Sequence, residues 1–153
     1  MNRSQLREHV FRTLFRLDFY PPNEMEREIN LYMETLNPPD EDSVAAKEGE
    51  APLVKEKDII YIENKVKKII EKVPEIDEVL STLTVKWKLS RMSKVDLTIL
   101  RLAVYEMKWD EDVPIGAAID EAVELSKKYS GDEGYSFVNG VLAKVAKEME
   151  KVH

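Results

Sequence analysis

Residues Val95 to Met107 read VDLTILRLAVYEM, and this stretch decides the fold class. Wound as a helix at ~100° per residue, its apolar members Val95, Leu97, Ile99, Leu100, Leu102, Ala103, Val104, Tyr105 and Met107 go almost all the way round. A helix with no polar stripe has to be wrapped by neighbours on every side. The segment therefore predicts a central helix of an all-α protein. Ser93-Lys94-Val95-Asp96 supplies its start, as a capping-box variant. Two charges within it, Arg101 and Glu106, need partners if buried, because an unpaired buried charge is very costly. Glu121 or Glu124, on the next helix, is the expected partner of Arg101.

Outward from this segment the helical period recurs wherever the chain is apolar. Towards the amino terminus, a helix over about 3–20 carries Leu6, Val10, Leu14 and Leu17 and stops at Pro21-Pro22. A second, about 23–36, places Met25, Ile29, Tyr32, Met33 and Leu36 on one side. A third, about 55–73, carries Ile59, Ile62, Val66, Ile69, Ile70 and Val73 and is expected to close at Pro74, with a short helix following over about 75–84. Towards the carboxyl terminus, Asp112-Val113-Pro114 opens a helix that Gly131 ends as a left-handed cap. The last helix, about 134–150, bears Phe137, Val138, Val141, Leu142, Val145 and Met149. Gly140 inside it costs ~1 kcal/mol against alanine, so a close helix approach is expected there. Asn139 beside it is expected to be a buried bridge to loop backbone. The sum is about seven helices in two helical-bundle subdomains, about 1–74 and about 75–153, with a mobile acidic loop at about 38–56. A cation site in that loop is the alternative to plain solvation.

Composition sets the outer limits. The chain has 153 residues, with Lys+Arg 23 against Asp+Glu 30 and a net charge of −7. At 43% hydrophobic and 35% charged it is neither disordered nor membrane-embedded, and it is long enough for a real core. The absence of cysteine excludes disulfides, thiolate metal sites and cysteine nucleophiles. Arginines interrupt residues 1–20, which lack the uncharged run of a secretory signal, so a cytoplasmic setting is expected. With 20 Glu, 16 Lys and one Gln, the bias is that of hyperthermophile proteomes, and it predicts a melting temperature well above about 50 °C.

Nothing in the chain points to catalysis. The histidines, His9 and His153, lie near opposite ends of the sequence. Gly131-Asp132-Glu133-Gly134 lacks the lysine and the strand of a phosphate loop, and its carboxylates would repel phosphate. We expect no catalytic residues, no metal site and no cofactor.

The first helix is different. Arg3, Arg7, Arg12 and Arg16 face only Glu8 over residues 1–16, a local charge of +3 in a protein of −7. Guanidinium groups suit two-pronged contact with phosphate and stacking on bases. Helix stability does not explain them, since positive charge near a helix start opposes the macrodipole. Gln5, His9, Arg12 and Arg16 fall within an arc of ~60° at 100° per residue. Arg3 and Arg7 form another ridge, and Phe11, Phe15 and Phe19 a third. Phe11 and Phe19 are expected in the core, while Phe15, bordering the arginines, can offer a stacking face to an unpaired base.

The order of motifs resembles the NusB family. Arg7-Glu8 stands in a basic first helix, followed by Trp87, Arg91-Met92, Val95-Asp96, Ile99-Leu100-Arg101-Leu102-Ala103 and Tyr105-Glu106. Asp112-Val113-Pro114, Ile119-Asp120-Glu121-Ala122-Val123-Glu124-Leu125-Ser126-Lys127 and Phe137-Val138-Asn139-Gly140-Val141-Leu142 complete the set. Each string is weak alone, and together in this order they are specific. The resemblance implies two helical subdomains and a transcription antitermination factor that binds boxA RNA of ribosomal RNA leader transcripts. It implies that binding is joint with NusE, a small-subunit ribosomal protein, and that the complex makes RNA polymerase read through terminators. Carried over residue by residue, the RNA surface is Arg3, Arg7, Arg12 and Arg16, with Phe15, Asp96 and Phe137 near the nucleotide path. The family's arginine cluster is often denser than Arg3-Ser4-Gln5 here. Some relatives self-associate, so a homodimer stays open. Two other readings remain: a helical protein–protein adaptor without RNA binding, and a relative of the RNA-binding module of ribosomal RNA methyltransferases. The chain ends at His153 with no α/β cofactor region, which weighs against the second.

Overall fold

The computed structural model describes residues 1–36, 54–84 and 92–151. Among these the protein is all-α, with helices α1 (Arg3–Leu17), α2 (Met25–Leu36), α3 (Glu56–Leu83), α4 (Lys94–Trp109), α5 (Ile115–Tyr129) and α6 (Asp132–Lys151), and a 3-10 turn at Pro22–Glu24. The acidic loop expected at about 38–56 falls outside the described residues as far as residue 53, as do Trp87, Arg91 and His153. The chain divides into two compact units, Met1–Val66 and Lys67–His153, the division falling inside α3 ahead of Pro74.

In the first unit, α1 begins with a reciprocal cap. Asn2 Oδ1 accepts from the Gln5 amide at 2.8 Å, and the Asn2 amide donates to Gln5 Oε1 at 2.9 Å. Val10, Phe11, Leu14 and Leu17 then bury one stripe, which packs on Ile29, Tyr32 and Met33 of α2. Pro21 and Pro22 forbid continuation, and the chain turns through the 3-10 segment into α2. On α3, Asp58 is buried and takes the Met1 ammonium at 3.1 Å.

In the second unit α4 is central, as its sequence demands. Every residue from Leu97 to Met107 is buried except Arg101, which is half-buried. Helices α5 and α6 pack on α4 and on each other. Ser93 caps α4 by accepting from the Asp96 amide at 3.0 Å, as expected. Gly131 closes α5 in the left-handed region, at φ +87°, with its amide donating to Ser126 O.

The structure departs from several expectations. Pro74 does not end a helix: α3 runs through it as one element of 28 residues. Pro74 is exposed, so the Ile70 carbonyl it leaves unbonded can turn to water. Ile69, Ile76 and Leu80, all fully buried, hold the helix together across it. Burying three such side chains contributes ~1.5–3 kcal/mol each, more than the ~3 kcal/mol that an interior proline costs. Arg101, half-buried, is paired as such a charge requires, and Asp77 on α3 is a partner the sequence did not suggest: Arg101 Nε and Nη2 donate to its two oxygens at 2.9 and 2.8 Å. Asn139 and Gly140 are exposed, and a methyl group on Gly140 would meet nothing within 4 Å. Phe19 is not core either, being 62% exposed just past the end of α1.

Candidate nucleic-acid interface

In the first unit, the exposed side of α1 carries the arginine face. Arg3 is exposed in the first turn. Further along, the Arg12 side chain is 46% exposed and donates to Glu8 Oε2 at 2.9 Å, one turn back on the same helix. Arg16, at 40%, donates through Nε to Glu28 Oε1 of α2 at 2.9 Å. Glu28 is nearly buried, so this pair is anchored from below. Binding through Nε leaves the terminal nitrogens of Arg16 outside that contact. A guanidinium held along one edge keeps a second edge for an incoming phosphate.

Arg7 does not join this face. It is only 6% exposed and is engaged within the fold. The reason is rotational: at ~100° per residue, position 7 lies between Leu14 and Phe11 of the buried stripe. Its side chain therefore lies largely out of solvent, unlike those of Arg3, Arg12 and Arg16.

His9 and Phe15 flank the arginines. His9 Nδ1 shares a hydrogen bond with the Tyr32 hydroxyl at 2.9 Å, and the two rings meet edge to face. Burial, and then the Arg12 guanidinium, hold the imidazole below its ordinary value of 6.5, against a smaller opposing pull from Glu8. The neutral imidazole is thereby favoured. Phe15 is half-buried between two other rings, stacked on Phe11 with centroids 6.1 Å apart and edge-on to Phe19 at 5.2 Å.

The second unit holds the other two expected residues. Asp96, on the first turn of α4, and Phe137 of α6 line one open concavity of about 470 Å³. Ser130 at the end of α5 donates its hydroxyl to Asp96 Oδ1 at 2.5 Å, tying that carboxylate to the α5–α6 junction. Gly134 makes the tie possible. A Cβ there would overlap Ser130 Oγ and lie 3.2 Å from Asp96 Oδ1. Sequence reasoning passed over Ser130 and Gly134. The available signal is Gly131 and Gly134 spaced three apart across a helix junction, which does not say which neighbour approaches either of them. Tyr129 and Glu133 complete the polar rim.

Among the described residues there is no group of three or more His, Cys, Asp or Glu that could hold a metal ion. Nor, among them, is any helix long and apolar enough to cross a membrane.

Comparison with known proteins closes the case for kinship. The model of the NusB family matches residues 4–147. The transcription antitermination protein NusB of Lachnoclostridium phytofermentans is 44% identical over 145 residues, covering 95% of this chain and 98% of that protein. Among solved structures, NusB of T. maritima superposes with a TM-score of 0.75 at 32% identity, over 97% of this chain and 92% of the other. A chain from a complex of antitermination factors NusB and NusE with double-stranded RNA gives 0.72 at 24% identity, over 97% and 99%, and speaks for the fold alone. Sharing the family's motifs, its helices and nearly half its residues with a curated member of equal span, the chain belongs to the NusB family.

Proposed function

We propose that this protein is an RNA-binding antitermination factor that grips the unpaired boxA segment of ribosomal RNA leader transcripts, together with NusE, and so favours read-through by RNA polymerase. The role is binding, without catalysis. The observation that carries the proposal is the exposed side of α1, where Arg12 and Arg16 stand beside the half-buried ring of Phe15. Arg3, Arg12 and Arg16 contact phosphate and Phe15 stacks on a base. Arg7 acts from beneath by holding α1, while Asp96 and Phe137 receive a nucleotide in the concavity of the second unit. Membership of the family, and close identity to a relative named as a transcription antitermination protein, support this reading.

The carboxylates at Glu8 and Glu28 set the strength of the grip. Phosphate has to compete with them for the guanidinium groups, so affinity from α1 alone is modest and a second partner is useful. An anionic remainder discourages non-specific binding and favours a basic protein partner.

A titration tests this: a labelled boxA-like oligonucleotide, with and without NusE, at two salt concentrations. Expected is binding that weakens steeply with salt, with a logarithmic slope of ~0.7 per phosphate contacted on a single strand. A protein-only adaptor predicts no RNA affinity under any of these conditions, and that result would replace the proposal.

A further inference from the structure

The line of rings that begins on α1 does not stop at Phe15. Phe11 is buried, Phe15 half-buried and Phe19 62% exposed, and each ring touches the next. A lone exposed phenylalanine means little, since much of any protein surface is apolar. Phe19 is not a lone ring. Its edge-on contact with Phe15, at 5.2 Å and 75°, leaves it supported from one side and open on the other. Its backbone is fixed as well, for the Phe19 amide donates to Arg16 O at 3.2 Å and Pro21-Pro22 follow at once. The ring is thus presented from a held turn, three residues beyond the Arg16 guanidinium.

We propose that Phe19 is a second stacking platform, taking the base of an additional unpaired nucleotide one step along from the base on Phe15. The inference rests on the reading of α1 as the RNA face. The Phe15 and Phe19 ring centroids lie 5.2 Å apart, a distance one nucleotide of an extended strand covers. The chemistry favours a base over a protein side chain for a geometric reason. A flat ring with one supported edge and one open face matches a flat partner, and the adjacent guanidinium lies where that nucleotide's phosphate runs. Stacking of this kind tolerates any base, because each has a π face. Phe19 therefore extends the length of RNA held without adding sequence preference.

The test uses the full chain with NusE and single-stranded boxA-like RNA, comparing Phe19→Ala, Phe19→Leu and Phe19→Tyr. From the usual worth of one aromatic–base stack, Phe19→Ala is expected to weaken binding by at least ~5-fold. Phe19→Leu, equally apolar but without a π face, behaves like Phe19→Ala, and Phe19→Tyr stays near the parent. The salt slope does not change, since no phosphate contact is lost. Placing an abasic nucleotide at successive positions reveals one position whose effect disappears in Phe19→Ala. Wild-type affinity in Phe19→Ala, or in Phe19→Leu, overturns the inference. Because Arg12→Glu is measured alongside, the two ideas fail separately. Lost binding in Arg12→Glu with none lost in Phe19→Ala removes the platform and leaves the RNA face standing. No RNA binding by the parent removes both.

Discussion

Two glycines of α6 carry opposite lessons. Gly134 is buried against Ser130, and a methyl group there displaces the Ser130 side chain from Asp96. Gly134→Ala is therefore expected to destabilise the protein by ~1–3 kcal/mol, as overpacking does. Gly140 faces open space in a helix interior, so Gly140→Ala is expected to stabilise by ~0.5–1 kcal/mol. Urea unfolding midpoints of the two variants check both signs at once. From sequence alone the glycines could not be ranked, since each is simply a glycine at helical spacing. What separates them is the identity of the neighbour across the gap.

His9 gives a residue-scale prediction for pH. Its folded value lies below the ordinary one of 6.5, mainly through burial. The unfolded chain then binds more protons in the window between the lowered value and 6.5, so stability rises with pH there. The contribution is complete above that window and is lost as pH falls through it. Denaturant midpoints measured from pH 7.5 to 5 are expected to fall more steeply for the parent than for His9→Gln, which keeps a polar partner for Tyr32 but cannot titrate. Parallel curves would contradict the assignment.

At the scale of elements, periodicity was the legible part. The unbroken apolar circumference of Val95–Met107 announced a central helix, and α4 is buried on all sides. The same arithmetic, applied to α1, places Arg7 in the apolar stripe, but the type of the residue drew attention to the surface instead. Pro74 misled for a related reason. Local chemistry says that a proline ends a helix, while the decision rests on which way it faces and on how much apolar surface lies on either side. Restoring the amide with Pro74→Ala is expected to stabilise the protein by ~2 kcal/mol, the ~3 kcal/mol gained in the helix exceeding the ~0.4–1 kcal/mol lost by loosening the unfolded chain. A lower unfolding midpoint would mean that the proline sets a bend the fold requires. The Arg101–Asp77 pair was hidden for want of long-range information, since a residue 24 positions away in sequence is one carboxylate among many.

At the scale of the whole molecule, the central fact is a charge contrast. A protein of net −7 keeps a short guanidinium face on its first helix, where Arg12 and Arg16 are each steadied by a carboxylate. Total charge opposes attachment to RNA, and local geometry favours it. The local term wins only within a Debye length of ~8 Å at physiological salt, so the grip has to be short-range and specific. The family was legible in the order of its motifs. The depth of each arginine was not, and that depth divides the surface residues Arg3, Arg12 and Arg16 from the interior Arg7.

The most direct test is the affinity of the NusE-bound protein for boxA-like RNA after removal of that charge. The variant is Arg12→Glu with Arg16→Gln, the glutamine sparing Glu28 a like-charged neighbour. A charge-assisted contact contributes ~1.5–3 kcal/mol, so the double variant is expected to bind RNA at least ~100-fold more weakly at low salt, with a shallower salt slope and unchanged folding by circular dichroism. RNA affinity equal to that of the parent, in a folded double variant with NusE still bound, would contradict the account.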